Sequence, residues 1–396
     1  MRILHCFTDI GGNASGLARA QRAAGANAEM VSFIASSLGF SGDRILAEGV
    51  RFPVEQERLR LRFFREALRS YDVMHFYFAD TLLTPIRYPN VPHKPGHFTR
   101  FRRRQRLQAI RERALDWYYR HFWMRDLRLL RGIGKTVAMT FLGDDIRTVA
   151  YAGAHNPNSH LVAPENCAIQ GPWDPDKERI IAKVSKQVDL IYATNPDLLG
   201  LLPKRAQYLP YCNIEPAKIT PRMLSEEGPL HIAHAPTNRV TKGTDEVLAA
   251  VEQLQAEGLP ITFELIEGYD HQEARARMAK ADIFVDQLRV GWFGGAAAEA
   301  MAMGAIAMAH LHGPDIALSP YEEQDLPVVN ITRGQLADQL RALVTRPRSE
   351  LQAMAQRGRT FVCSEHDPAR LAERTLQDYR NVPARWGRVL SYPVDR

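Results

Sequence analysis

Cysteine is scarce in this chain of 396 residues: Cys6, Cys167, Cys212 and Cys363 lie far apart and form no Cys-x-x-Cys pair. So few scattered thiols in so long a chain argue against a disulfide framework. Long apolar runs are missing too, and nothing approaches the ~18 consecutive apolar residues that a membrane-spanning helix requires. The opening Met1-Arg2-Ile3-Leu4-His5-Cys6-Phe7 is too briefly apolar for a secretory leader, so the expected location is the cytoplasm. Low-complexity tracts and short internal repeats are absent. His155, His160 and Cys167 match no zinc spacing, and His310 and His312 fall in a Gly/Pro turn, so no metal is expected.

What remains is ordinary globular composition, 45% hydrophobic and 24% charged, in a chain long enough for two or three domains. The net charge of +6 is unevenly placed, because residues 94–131 carry twelve Lys or Arg against three Asp or Glu. The basicity is therefore a local surface property. Within that segment Arg100, Arg102, Arg103, Arg104 and Arg106 cluster at the start, and Leu107, Ile110, Ala114, Trp117 and Phe122 follow at helical spacing. Arg beside Trp and Tyr fits an anionic membrane surface, an acidic glycan or, less well, a nucleic-acid groove. An amphipathic helix with a solvated Arg face explains the same pattern.

The chain opens as strand, Gly-rich turn, helix, strand: Arg2–Phe7, Gly11-Gly12, a helical stretch from Ser15, then Glu29–Phe33. Further strands are predicted at Val73–Phe78, Lys135–Phe141 and Leu190–Thr194, and the first half ends near residue 210. Residues 211–229 hold three prolines and no periodicity, which reads as a linker. From Leu230 to residue 370 strands again alternate with helices of about ten residues. The fold class is therefore α/β with two Rossmann-like domains, parallel sheets flanked by helices, and a site in the cleft between them. The basic stretch 94–131 is an insertion in the first domain, and residues 371–396 form a helix and tail returning toward it.

Two clusters carry chemistry. Asn238-Arg239-Val240-Thr241-Lys242-Gly243 follows a strand and opens a helix, where open α/β sheets bind ligands. A guanidinium and an ammonium at that place suit a diphosphate. Gly294 and Gly295 run into Ala296-Ala297-Ala298-Glu299, so bare amides at a helix N-terminus are expected to face a phosphate. Glu299, one turn inside, can accept two hydrogen bonds from a ribose diol. Glu267, at the end of the second strand of this half, joins the candidate binding set.

These blocks resemble the nucleotide-sugar glycosyltransferases of the GT-B fold, particularly glycosyltransferase family 4. The resemblance rests on Asn238 to Thr244, on Ala281-Asp282-Ile283-Phe284-Val285-Asp286 and on Glu299-Ala300-Met301-Ala302-Met303-Gly304. It implies that Arg239 and Lys242 bind the donor diphosphate, that Glu299 holds the ribose, and that Gly11-Gly12 border the leaving phosphate. It also implies a nucleoside diphosphate sugar as donor, no obligate cofactor, retention at the anomeric carbon, and a glycan, lipid-linked or other hydroxyl acceptor. The catalytic set so implied is Arg239, Lys242, Gly12 and Asp144. Two positions depart from the family pattern: Gly291 stands where the family has a Glu, and Leu142 where it often has a His. Asp144, Asp145 or Arg147 are the candidates to replace the lost polar contacts. Sugar-nucleotide binding without turnover, and a nucleic-acid scaffold using the basic segment, are the competing readings.

Overall fold

The computed structural model describes residues 1–34, 40, 42–50, 53–84, 117 and 121–383. Most of the basic segment, including Arg100 to Arg106, Leu107, Ile110, Ala114, Tyr118 and Tyr119, lies outside the described residues. So does the tail from 384 with Trp386.

Two sheets organise the chain. The first contains β1 (Arg2–Phe7), β2 (Asn27–Ser32), β3 (Arg44–Ile45), β4 (Val73–Tyr77), β5 (Thr136–Phe141), β6 (Leu190–Ala193) and β7 (Gln207–Tyr208), in the order β3-β2-β1-β4-β5-β6-β7. The second contains β8 (Leu230–His234), β9 (Ile261–Leu265), β10 (Ile283–Val285), β11 (Ile306–Ala309) and β12 (Val329–Asn330), in the order β12-β11-β10-β8-β9. Adjacent strands run parallel throughout. Parallel sheets need helical crossovers and bury both faces. Accordingly β4 and β11 are buried along their whole lengths. The predicted strand at 73–78 stops at Tyr77, because Phe78 and Ala79 turn left-handed with φ of 55° and 56°. Each order reverses once, between β1 and β4 and between β8 and β10. Such reversals splay the following loops apart and open a crevice at the carboxyl ends of the strands.

The connector at 211–229 is irregular yet anchored on both halves. The Cys212 amide donates to Asn13 Oδ1 at 2.6 Å, and the Arg222 amide donates to the Met303 carbonyl at 2.7 Å. Gly16 lies against this connector so closely that a Cβ there would sit 2.2 Å from the Cys212 carbonyl oxygen. After the second sheet, the helix Pro368–Asn381 packs on the first, with Leu371, Leu376 and Tyr379 joining Ile3, Leu17 and Tyr192 in one apolar cluster. Among the described residues no helix is long and apolar enough to cross a membrane.

A buried hydrogen-bond chain fixes that last helix. Gln21 Nε2 donates to Thr375 Oγ1 at 2.9 Å, so its carbonyl oxygen is free to accept from His5 Nε2, also at 2.9 Å. That sets the His5 tautomer, and its Nδ1 accepts from the Tyr77 hydroxyl at 2.8 Å. His75 bridges Thr140 Oγ1 at 2.7 Å and the Tyr379 hydroxyl at 2.6 Å. Burial presses His5 down to about 4 and His75 well below 6.5. Tyr379→Phe strands a buried imidazole nitrogen and should cost about 1–3 kcal/mol in urea unfolding. Because the folded-state imidazoles resist protonation, the unfolded chain takes up protons first as pH falls below about 6.5. Their contribution to stability is thus complete above that pH and drains away toward pH 4, so the melting temperature should drop across that window at constant ionic strength.

Candidate functional site

The loops after β8 and β10 leave adjacent central strands, which places the two sequence clusters side by side. Asn238 caps the first, its side-chain oxygen accepting from the Thr241 amide at 3.0 Å, and Arg239–Lys242 forms a single helical turn. Gly243 ends the turn at φ 69°, with no room for a side chain: a Cβ there would lie 2.9 Å from Leu288 Cβ. Arg239 is exposed and forks onto Glu267, with Nε at 2.9 Å from Oε1 and Nη2 at 2.6 Å from Oε2. That carboxylate lies below its ordinary range because of the Arg239 hydrogen bonds and charge.

Lys242 is buried, and its ammonium is held by the Asp286 carboxylate and by Gln287 Oε1 at 3.2 Å. The other Asp286 oxygen accepts from the Gly294 amide at 2.6 Å, just ahead of the helix Gly295–Ala302. One of the two expected glycine amides is thus already engaged by an internal carboxylate. The first-turn amides of the helix follow it and have no partner within the helix. Gly294 allows this approach, since a Cβ there would lie 3.1 Å from Asp286 Oδ2 and 3.5 Å from Lys242 Nζ. Glu299 is buried one turn farther on, with His271 Nε2 at 3.4 Å and Arg275 Nε at 3.9 Å. Both separations exceed a charge-assisted hydrogen bond, so carboxylate lone pairs remain for a ligand.

On the facing half, Gly11 and Gly12 adopt φ of 63° and 74°, a left-handed turn between β1 and the helix Asn13–Ala23. Phe40 covers Gly12 and approaches His271 of the other half, ring centroids 4.6 Å apart. A line of contacts thus crosses the cleft from Gly12 through Phe40 and His271 to Glu299. After β5, Asp145 accepts from the Leu142 and Gly143 amides at 3.1 and 2.8 Å, and burial raises it to about 6. Asp144 accepts from Arg147 at 2.6 Å and contacts His160 Nε2 at 2.9 Å. Burial opposes its ionisation, but the His160 hydrogen bond and the Arg147 charge prevail and hold it below the carboxylate range. Arg147 also forks onto Asp197 at 2.6 and 3.1 Å, and the His160 amide donates to the Arg289 carbonyl across the seam at 2.9 Å.

The expected residues therefore form two groups: Arg239, Lys242, Glu267, Gly294, Gly295 and Glu299 around β8 and β10, and Gly11, Gly12 and Asp144 opposite. Asp286 stood in the resembling block without an assigned role, and Gln287, His271 and Asp197 were not among the expected site residues. Asp286 was legible, being an acid at the carboxyl end of the buried strand β10, whose neighbour β8 precedes the Lys242 turn. The others become neighbours only through the tertiary fold. Asp197→Ala would leave the buried Arg147 with Asp144 as its only carboxylate among these contacts, and breaking a buried pair in this way costs about 3–5 kcal/mol. Chemical denaturation should show a loss of that size.

No protein-family model and no curated protein sequence matches the chain. Solved structures do. Sucrose-phosphate synthase from Thermosynechococcus elongatus superposes with a TM-score of 0.61 at 15% identity, over 96% of this chain and 98% of that one. The catalytic domain of starch synthase IV from Arabidopsis thaliana, bound to ADP and acarbose, gives 0.54 at 9% identity over 96% and 99%. Anabaena HepE in complex with UDP gives 0.52 at 11% identity over 95% and 99%. These likenesses run along nearly the whole chain and, with the two parallel sheets flanked by helices, show that the protein has the GT-B fold.

Proposed function

We propose that this protein transfers a sugar from a nucleoside diphosphate sugar to an acceptor hydroxyl, with the donor on the second half and the acceptor on the first. The observation that carries the reading is the Lys242 ammonium held beside the N-terminus of the helix bearing Glu299. An ammonium has three donors. Asp286 and Gln287 take two of those on Lys242, so one remains for a phosphate oxygen. The first-turn amides and the helix dipole favour an anion at the same spot. Arg239, exposed on the preceding turn, can exchange Glu267 for the diphosphate. Glu299, one turn into the helix, accepts from the ribose hydroxyls in this reading, which its open lone pairs support.

Breaking the glycosyl–phosphate bond builds negative charge on the leaving diphosphate, and donors fixed there before reaction lower the barrier most. Lys242, Arg239 and the amides supply them. Gly11 and Gly12 bring bare backbone to the same phosphate from the other half, and Asp144, oriented by Arg147 and His160, faces the transferred group. The acceptor proton passes to a phosphate oxygen of the donor, which is compatible with retention at the anomeric carbon. The enzyme acts in the cytoplasm on a glycan, lipid-linked or other hydroxyl acceptor, and the basic composition of residues 94–131 suits an anionic one. Gly291 and Leu142 motivate the competing reading, donor binding without transfer.

UDP is the first probe, because HepE was solved with UDP and with UDP-glucose. Calorimetry should show that Lys242→Ala weakens UDP binding by about 1.5–3 kcal/mol, the loss expected for a charge-assisted hydrogen bond, and that Arg239→Ala weakens it as well. Wild-type protein should prefer UDP to 2′-deoxy-UDP, and Glu299→Gln should abolish the preference. Equal UDP affinity in all three variants sinks the donor-site assignment. UDP-glucose that binds but is never consumed with any hydroxyl acceptor favours the non-catalytic reading.

A further inference from the structure

Beside the Asp144–Arg147–Asp197 cluster, the two halves meet at a second group of chemistry-bearing side chains. His155 ends the helix Val149–His155 of the first half, while His312 and Asp315 lie at the start of the helix Gly313–Leu318 of the second. One ligating atom from each falls within 4.8 Å of the other two. We propose that His155, His312 and Asp315 form a zinc site that clasps the halves together.

Three features distinguish this group from a chance ion pair. His312 Nε2 donates to the His155 carbonyl at 2.7 Å, which leaves its Nδ1 with a bare lone pair. Metal-binding imidazoles are oriented in this way, by a hydrogen bond from the nitrogen that does not bind the metal. His155 turns its Nε2 onto Asp315 Oδ1, and Tyr151 stacks against the ring at 4.9 Å and 15° to hold that orientation. Asp315 is 1% exposed, and its Oδ2 has no hydrogen-bond partner. Gly291 makes room for that oxygen: at φ 100° it has no side chain, and a Cβ there would lie 2.4 Å away.

Charge points the same way. The nearby guanidinium, Arg147, is shared with Asp144 and Asp197, and the imidazole of His155 is the ion-pair partner of Asp315 among the described residues. A divalent ion there would meet the unpartnered Asp315 Oδ2. Two imidazoles and one carboxylate suit zinc, whereas magnesium and calcium prefer oxygen donors. Zinc bonds of about 2.0–2.1 Å require the ligand atoms to draw together, roughly to 3.3 Å in tetrahedral geometry, a movement of side-chain size. His155 and His312 are only partly buried, which leaves a path for the ion and a fourth position for water.

The test uses protein stripped with a chelator and dialysed against zinc, with bound metal counted by mass spectrometry and cobalt as a spectroscopic replacement. The expected result is one zinc per chain, a raised melting temperature and a visible cobalt spectrum of tetrahedral type. His312→Ala and Asp315→Asn should each lower zinc affinity at least tenfold, while His121→Ala, at an exposed site, should not change it. Should either variant fail to fold, the cobalt spectrum of the wild-type protein decides alone. Sub-stoichiometric zinc, an octahedral cobalt spectrum, or equal binding by folded His312→Ala and Asp315→Asn would overturn the proposal. None of these readouts depends on sugar transfer, so the zinc site and the donor site stand or fall separately.

Discussion

Asp286 binds a cation with one carboxylate oxygen and a helix N-terminus with the other. Buried at the end of β10, it holds the Lys242 ammonium and accepts from the Gly294 amide. Through it the loop after β8, the end of β10 and the helix carrying Glu299 become one rigid unit. Burying such a pair gains little net stability, because both charges lose their water. Its physical value lies in placement: a lysine that would otherwise sweep through many rotamers is fixed beside a helix N-terminus. The same carboxylate is a resident anion where a phosphate is expected to bind. A donor diphosphate must therefore share Lys242 with Asp286 and take the amides that follow Gly294.

The rest of the architecture serves to bring a second surface up to that unit. The connector is tied to Asn13 on one side and Met303 on the other. The last helix returns to the first sheet and is locked by Gln21, His75 and Tyr379. These attachments keep the crevice of one sheet facing the crevice of the other. Contacts through Phe40 and His271 near Glu299, and through His160 and Arg289 farther along, then cross the gap. Any opening of the cleft has to break these contacts while sparing the buried anchors of connector and last helix.

The two-sheet α/β architecture could be read from the sequence because buried parallel strands are short apolar runs separated by amphipathic helices, and this chain keeps that rhythm. The Asn238 to Gly243 turn and the Gly294–Gly295 helix start were legible for a similar reason, since their geometry is local. Partners were harder. Nothing in the sequence says that Arg239 meets Glu267 or that Arg147 meets Asp197, since those pairs join loops 28 and 50 residues apart. His155, read from its spacing to His160 and Cys167, gave no metal pattern. The fold instead sets it against His312 and Asp315, some 160 residues away. Strand ends were also less legible than strand centres: β4 stops at Tyr77 because two non-glycine residues turn left-handed, which propensity alone does not reveal.

The proposed sugar transfer depends on a nucleoside diphosphate binding at the N-terminus of the helix Gly295–Ala302 against Lys242. A crystal structure with UDP tests it most directly. Diphosphate oxygens should lie within hydrogen-bonding distance of Lys242 Nζ and the first-turn amides, with the ribose hydroxyls on Glu299 and the Asp286 contact to Gly294 retained. UDP seated elsewhere, or seated in the cleft with Glu299 turned away from the ribose and Lys242 still bound only to Asp286 and Gln287, would contradict it.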